Sequence, residues 1–289
     1  MNFFKILNNT LIVFFISFSV NAFAQSKLIT PNVDSRLYLG EGAKQPLVVG
    51  LGGSEGGNAW DSDYWKKTRD QFIAKGYAFL AIGYLGGKGT PDTLNKISIN
   101  QVHDAILVAK KNKKINKNKI AIIGGSRGGD LALLIGSYFN DIKCVVALVP
   151  SHVAFPGHTN HFTTSAWTFY NKELLFVPVN EEAVPYLMKH DLRGTFTAML
   201  KDSIAEKKAV IKVEKINGPI LLLSATKDDH ITSVEMCDKM IALLKVHKFK
   251  YANKHIIIDG GHGEPLKHFD LIFKFLENNF RKVEVGGVQ

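Results

Sequence analysis

Residues 120 to 139 read IAIIGGSRGGDLALLIGSYF, and this stretch decides the fold. It begins with the apolar run 120–123, which is typical of a strand buried on both faces. It continues with apolar side chains at helical spacing, namely Leu131, Leu134, Ile135 and Tyr138. Between them lies the G-x-S-x-G pentapeptide of residues 124–128, a tight strand-to-helix turn in which only small residues fit around Ser126. The stretch predicts a turn that lifts the Ser126 hydroxyl above the edge of a sheet.

Short apolar runs and amphipathic segments alternate through the rest of the chain. The runs predict five more strands, at residues 47–51, 77–83, 144–149, 220–224 and 255–258. Apolar stripes at 99–109 and 266–280 predict helices that pack on the core. This alternation indicates an α/β protein with a mostly parallel, doubly wound sheet. Residues 151–215 break it with an aromatic-rich stretch, and an insertion of that length predicts a lid or a pocket wall.

The first 24 residues have the pattern of a signal peptide. Lys5 precedes an apolar run at 11–20, and Ala22-Phe23-Ala24 supplies small residues before a cleavage point. We expect cleavage after Ala24, a mature domain of residues 25–289, and export to the periplasm or the medium. The apolar run is shorter than the ~20 residues that span a bilayer, so a retained membrane anchor is the less favoured alternative.

Composition excludes several classes of protein. With 289 residues, of which 46% are hydrophobic and 21% charged, the chain is not disordered, collagen-like or a coiled coil. Its two cysteines, Cys144 and Cys237, exclude a disulfide scaffold but could be free or paired. The net charge of +10 includes six lysines between Lys110 and Lys119. Aromatic residues do not interleave with them, so we expect a solvated surface and no nucleic-acid partner.

A serine nucleophile needs a general base, and that base needs a carboxylate to orient it. Asp228 and Asp229 follow the predicted strand at 220–224, and His262 follows the next one on a glycine-rich loop. Parallel strands gather such loops at one edge of the sheet, so Ser126, the acid and His262 should meet there. We favour Asp228 over Asp229 because Ile231, three positions after it, would pack beneath the loop.

The oxyanion of acyl transfer needs two N–H donors. We expect the first from Arg127, the residue after the nucleophile, and the second from Ser54 in the loop Gly52-Gly53-Ser54-Glu55-Gly56-Gly57. That loop lacks the lysine-containing pattern of a phosphate-binding loop, so no nucleotide or other cofactor is expected. His152, His158 and His161 match no zinc-ligand spacing, so no metal is expected either.

Several segments together resemble a known family. They are residues 76–91 (GYAFLAIGYLGGKGTP), 120–139, 165–179 (SAWTFYNKELLFVPV), 213–233 (VEKINGPILLLSATKDDHITS) and 260–265 (GGHGEP). They resemble the C-terminal catalytic domain shared by acyl-CoA thioester hydrolases and bile acid-CoA:amino acid N-acyltransferases. The resemblance covers residues 45–280. It implies an α/β-hydrolase fold, a Ser126, Asp228 and His262 triad with the acid five residues before Ser233, and action on acyl thioesters.

Two departures from that family bear on the CoA moiety of the substrate: the expected export, since acyl-CoA is a cytoplasmic metabolite, and the short stretch before the catalytic domain. Only about twenty residues would precede Leu47 after cleavage, where intracellular members carry an N-terminal β-sandwich domain. The acyltransferase members use a Cys nucleophile, so Ser126 favours transfer to water over transfer to an amine.

The leading hypothesis is a serine hydrolase that cleaves acyl thioesters or esters, small-molecule substrates, through an acyl-enzyme. Two alternatives stay open: an exported carboxylesterase or peptidase of the same fold, and a binding protein without catalytic activity.

Overall fold

The computed structural model describes residues 24–281 and contains an eight-stranded sheet in the order β1-β2-β4-β3-β6-β7-β10-β11. A second, three-stranded sheet has the order β5-β8-β9. The strands are Ala24–Thr30 (β1), Val33–Leu39 (β2), Gln45–Leu51 (β3), Ala78–Gly83 (β4), Ile97–Ser98 (β5), Ile115–Gly125 (β6), Cys144–Leu148 (β7), Trp167–Phe169 (β8), Lys172–Glu173 (β9), Ile220–Ala225 (β10) and Asn253–Ile258 (β11).

All six strands predicted from apolar runs are present, and they pair with one another in parallel. The α/β class and the mostly parallel sheet are therefore confirmed. Sequence reasoning missed β1 and β2, which pair antiparallel with each other and, through β2, with β4. The reason is composition: β1 is largely exposed and β2 mixes Asp, Ser and Arg with apolar residues, so neither forms a continuous apolar run.

Eight α-helices accompany the sheet in the described part of the chain. They are Asp63–Ala74 (α1), Ile99–Ala109 (α2), Arg127–Tyr138 (α3), Val184–Met188 (α4), Leu192–Met199 (α5), Ser203–Ala209 (α6), Ser233–Val246 (α7) and Phe269–Leu276 (α8). Side chains of α1 and α8 share one apolar core, and those of α2, α3 and α7 share another. The sheet therefore has helices on both faces, as the alternating pattern predicts. No helix among residues 24–281 is long and apolar enough to cross a bilayer.

The C-terminal helix is shorter than predicted. The stripe at 266–280 is divided into a 3-10 turn at Glu264–Lys267, helix α8 and a π-helical turn at Glu277–Arg281. His268, between the 3-10 turn and α8, has φ −102° and ψ 50°, outside helical geometry, so regular α-helix begins only at Phe269. The stripe still packs inward, with Phe269, Ile272 and Leu276 all buried.

The stretch between β7 and β10 forms a compact unit of its own. It contains β8, β9 and helices α4 to α6, and its apolar side chains make a separate small core. Members of that core include Val153, Phe155 and Met199, which pack with Ile231 and Met236 from the segment after β10. The pairing of β5 with β8 ties the unit to the segment before α2.

The packing answers two questions that the composition raised: whether the two cysteines are paired, and whether the lysine-rich run is exposed to solvent. Cys144 and Cys237 are both free and buried, and they belong to different apolar cores. Burial raises the pKa of both thiols, which makes them poor nucleophiles. Lysines of the basic run are mostly exposed, as a solvated surface requires, although Lys110 pairs with Asp141 at 2.6 Å.

Candidate active site

Ser126 lies at the turn between β6 and α3, with a positive φ of 52°. Its N–H donates to the carbonyl of Leu148 at 2.8 Å. The neighbouring glycines are required by contact: a Cβ on Gly124 would lie 1.9 Å from the oxygen of Gly128, and a Cβ on Gly128 would lie 2.1 Å from the oxygen of Gly52. A non-glycine residue at positive φ is strained, and such strain is concentrated at functional sites. The predicted tight turn is therefore present in the structure.

Asp228 and His262 form a hydrogen-bonded pair, with Oδ1 2.8 Å from Nδ1. The same Oδ1 accepts the N–H groups of His230 at 3.0 Å and Ile231 at 3.1 Å. Burial on its own would raise the pKa of Asp228, but hydrogen bonds from His262 first, then from the Ser233 side chain and the Ile231 N–H, lower it below the ordinary value. Asp229 is different: its side chain is 75% exposed and contacts His230. The structure thus places Asp228, rather than Asp229, against His262.

The second ring nitrogen of His262 has no partner in the part of the site that the structure describes. Nε2 is buried and has no hydrogen-bond partner among residues 24–281. His262 and Ser126 line the same two cavities. Because Nδ1 is held by Asp228, Nε2 is the nitrogen available for exchanging a proton in those cavities.

The expected oxyanion donors lie on either side of Ser126. Arg127 is the first residue of α3, so its N–H has no acceptor within the helix. Ser54 is exposed in the loop after β3 and lines both cavities. That loop passes close to the nucleophile, since a Cβ on Gly53 would lie 3.4 Å from the Cβ of Ser126. The N–H of Gly53 already donates to Glu55 Oε1 at 2.9 Å. The N–H of Gly53 is therefore already engaged, and Ser54 stays the predicted donor of this loop.

A second buried carboxyl, Asp130, lies in the first turn of α3. Its Oδ1 accepts the N–H of Ser151 at 2.7 Å, and its Oδ2 lies 3.2 Å from Nη1 of Arg127. Arg127 also donates from Nη2 to the carbonyl of Pro156 at 2.8 Å. Burial raises the pKa of Asp130 to about 6, against the opposing charge of Arg127. The Arg127 side chain therefore ties α3 to the unit between β7 and β10.

A cavity opens on each side of Ser126. The first cavity, of about 500 Å³, is walled by residues of the unit between β7 and β10 and by its neighbours, including the apolar Val149, Phe155, Leu192, Phe196 and Ile231. The second cavity, of about 770 Å³, lies toward β3 and is lined by Leu51, Glu55, Trp60, Trp65 and Leu266. Four residues belong to both: Ser54, Ser126, His230 and His262. A bound substrate could thus place one arm on each side of the nucleophile.

The three histidines considered for a metal are separated in the structure. His152 Nε2 lies 2.7 Å from Glu206 Oε1, whereas His158 lines the first cavity and His161 is exposed. Within residues 24–281, one group has ligand atoms close enough to hold an ion: Asp228, His230 and His262, whose atoms lie within 4.8 Å of one another. Asp228 Oδ1, however, already accepts three N–H groups.

Sequence reasoning missed three residues of the site. His230 directly follows the two aspartates, and that adjacency was the available signal. Asp130 is four residues beyond the nucleophile, but nothing in the pattern marks it as buried. Arg193 of α5 donates to the main-chain carbonyl of Asp228. No local pattern could reveal that contact, because it depends on how α5 packs against the loop after β10.

Comparison with known proteins identifies relatives by sequence. Residues 97–265 match the family described as BAAT / Acyl-CoA thioester hydrolase C terminal, and residues 24–167 match one described as Alpha/beta hydrolase of unknown function (DUF1057). The chain is 26% identical to the peroxisomal succinyl-coenzyme A thioesterase of Mus musculus over 56% of its own length and 36% of the relative's. It is 27% identical to the Mus musculus acyl-coenzyme A thioesterase 6 over 68% of its length and 43% of the relative's. The chain spans less than half the length of these curated relatives.

Solved structures share the fold at low sequence identity. An acylaminoacyl peptidase of Pyrococcus horikoshii superposes with a TM-score of 0.64 at 14% identity, over 93% of this chain and 44% of the peptidase. The α/β hydrolase GrgF from Penicillium sp. superposes with a TM-score of 0.56 at 14% identity, over 90% of this chain and 99% of that protein. These likenesses establish the α/β-hydrolase fold. Because the first family match covers more than half of the chain, the protein belongs to the BAAT / acyl-CoA thioester hydrolase C-terminal family.

Proposed function

We propose that the protein is a serine hydrolase that cleaves acyl thioesters or esters through an acyl-enzyme. One observation carries the proposal: His262 is bonded through Nδ1 to a buried Asp228, while its unpartnered Nε2 and Ser126 line the same cavities. A serine beside a base that is itself oriented by a carboxylate is the arrangement that activates a hydroxyl nucleophile.

In the proposed first step, Ser126 Oγ attacks the acyl carbonyl carbon and His262 Nε2 accepts the hydroxyl proton. Asp228 stabilises the resulting imidazolium. The negative oxygen of the tetrahedral intermediate accepts the N–H groups of Arg127 and Ser54. The intermediate collapses by breaking the bond to the leaving sulfur or oxygen, which takes the proton from His262 and departs as a thiol or an alcohol.

In the second step water replaces the leaving group. His262 Nε2 removes a proton from water as its oxygen attacks the Ser126 ester. The new tetrahedral intermediate then expels Ser126 Oγ, which recovers the proton. The products are a carboxylic acid and the free enzyme.

Family membership supports acyl thioesters as the substrate class, since curated relatives are named acyl-coenzyme A thioesterases. The apolar wall of the first cavity is suited to an acyl group. We therefore assign residues 151–215 the role of a pocket wall or lid within a domain of residues 25–289. We also propose that the chain is exported after cleavage near Ala24, which would make an extracytoplasmic thioester or ester the physiological substrate.

The test combines active-site labelling with a substrate panel. A fluorophosphonate should form a covalent adduct on Ser126, located by peptide mass spectrometry. Matched thioesters and oxyesters of short, medium and long acyl chains should then be hydrolysed, with thioesters turned over faster. Faster oxyester or peptide turnover would reassign the protein as an esterase or a peptidase. An unlabelled Ser126 together with no hydrolysis would favour a binding protein.

A further inference from the structure

The ring of His230 lies against the ring of His262. Their centroids are 4.2 Å apart, and their planes are inclined by 35°. The two rings are thus in direct contact, in a tilted arrangement. His230 also lines both cavities, so it stands where the two arms of a substrate would meet the catalytic machinery. Neither the sequence patterns nor the proposed mechanism gives this side chain a role.

The loop that carries His262 fixes its backbone but not its ring. It reads Gly260-Gly261-His262-Gly263. The N–H of Lys227 donates to the carbonyl of Gly260 at 2.8 Å, and the N–H of Glu264 donates to the carbonyl of Gly261 at 2.9 Å. These main-chain bonds leave the side-chain torsions of His262 undetermined. The orientation of its ring must therefore be set by contacts of the side chain.

The bond to Asp228 restrains one end of that ring only. It fixes the position of Nδ1, but the ring can still tilt about the bond and swing Nε2 away from Ser126. A contact on the flat face of the ring removes this freedom. His230 supplies that contact.

The His230 side chain is 45% exposed and is held at two points. Its N–H donates to Asp228 Oδ1 at 3.0 Å, and its Nδ1 lies 3.1 Å from Asp229 Oδ1. Arg193 binds the carbonyl of Asp228 and so anchors the same turn. One loop therefore presents both the carboxylate that bonds the edge of His262 and the ring that covers its face.

We propose that His230 is a positioning residue that fixes the plane of His262 and thereby directs Nε2 toward Ser126. The inference rests on the proposed function. It assigns the aromatic face of His230, rather than its nitrogens, as the feature that matters. A planar apolar ring at this position should therefore serve nearly as well as imidazole, and a polar chain without a ring should not.

The experiment compares His230→Ala, His230→Gln and His230→Phe with the unchanged protein. The first readout is the second-order rate constant for phosphonylation of Ser126, which needs no knowledge of the natural substrate. The second is kcat and KM on the best thioester of the panel. Matched controls are His247→Ala and His247→Phe, at the C-terminal end of α7 and outside both cavities. Thermal midpoints establish that each variant is folded.

Loss of one aromatic stacking contact corresponds to roughly a threefold to tenfold change in rate. We expect His230→Ala and His230→Gln to lower phosphonylation and kcat by that factor with little change in KM, and His230→Phe to restore most of the loss. The His247 variants should match the unchanged protein. If His230→Ala fails to fold, His230→Gln against His230→Phe still gives the comparison.

Different failures are distinguishable. Equal rates for all His230 variants would overturn this inference and leave the proposed function intact. An active His230→Gln together with an impaired His230→Phe would also overturn this inference. That result would mean that hydrogen bonding by residue 230, and not its ring, positions His262. An effect on KM alone, equal in all three variants, would make His230 a substrate contact instead. A native Ser126 that resists the probe would overturn the proposed function and this inference with it.

Discussion

Two buried aspartates flank Ser126, and their pKa values shift in opposite directions. Asp228 lies in the loop after β10 and Asp130 in the first turn of α3, and each is 1% exposed. The pKa of Asp228 lies below its ordinary value, whereas that of Asp130 is raised to about 6. Equal exposure therefore does not give these two carboxyls the same chemistry.

The difference comes from what surrounds each carboxyl. Burial is the largest influence on both and favours the neutral acid. At Asp228 that influence is overcome first by His262, then by the Ser233 side chain and the Ile231 N–H. At Asp130 the Arg127 guanidinium and one backbone N–H offset only part of it. The ionised state of the buried Asp228 thus depends on its donors, the histidine first among them.

The largest expected effect comes from removing the Ser126 hydroxyl. Ser126→Ala should lower kcat/KM by about 10⁵-fold, because the members of such a triad act as a unit. The fold should be unchanged, since alanine adds no volume to the turn. Hydrolysis assays with circular dichroism check both expectations. A folded variant that keeps most of its activity would refute the mechanism.

The next effect separates Asp228 from its neighbour. Asp228→Asn should lower kcat by about 10³- to 10⁴-fold, because His262 would lose its ionised partner. Asp229→Asn should cost far less, since that side chain is largely exposed and meets the ring of His230 and the backbone of His262, not the His262 ring. Both variants are assayed on one substrate, each serving as the other's control. The reverse ranking would reassign the acid to Asp229.

A smaller effect concerns the pH dependence of the free energy of unfolding. The two aspartates should change it with opposite signs. The raised pKa of Asp130 means that its contribution to stability is complete below about pH 4 and is lost as the pH rises through about 6. Relative to Asp130→Asn, the free energy of unfolding of the native protein should fall by roughly 3 kcal/mol over that range. Urea unfolding at several pH values measures it.

Asp228 should show the reverse dependence. Its lowered pKa gives a contribution that is present above about pH 4 and lost as the pH falls through the folded-state value. Asp228→Asn is therefore the control for the Asp130 series. Parallel pH profiles for the two variants would contradict the contrast between the carboxyls.

The smallest expected effect on the catalytic site comes from the N-terminal segment. We predict that the exported protein begins at Gln25, which intact-mass measurement can establish. A membrane-bound chain that still begins at Met1 would refute the cleavage. Residues 1–23 of this segment lie outside the described part of the structure.

Local pattern was sufficient for the six parallel strands of the central sheet, but not for β1 and β2. Each predicted parallel strand was a continuous apolar run, and such runs reflect burial on both faces regardless of what packs there. Ser126 and His262 followed from the same logic, because loops at the carboxyl ends of parallel strands converge. For the unit between β7 and β10, the sequence predicted only that the alternation of strands and helices is interrupted there. Its short helices pack by long-range contacts among residues such as Phe155, Met199 and Ile231, which no periodic pattern encodes.

The sequence by itself therefore determined where the parallel strands lie along the chain and where the strained turn at Ser126 falls. It also determined the candidate catalytic residues. Only the tertiary structure decided which of two adjacent aspartates meets His262, and that Asp130 lies buried beneath the nucleophile. It also decided that His230 covers the face of His262. The physical reason is that strand and turn formation depend on neighbours in the chain, whereas desolvation, donor geometry and ring contacts depend on groups tens of residues away.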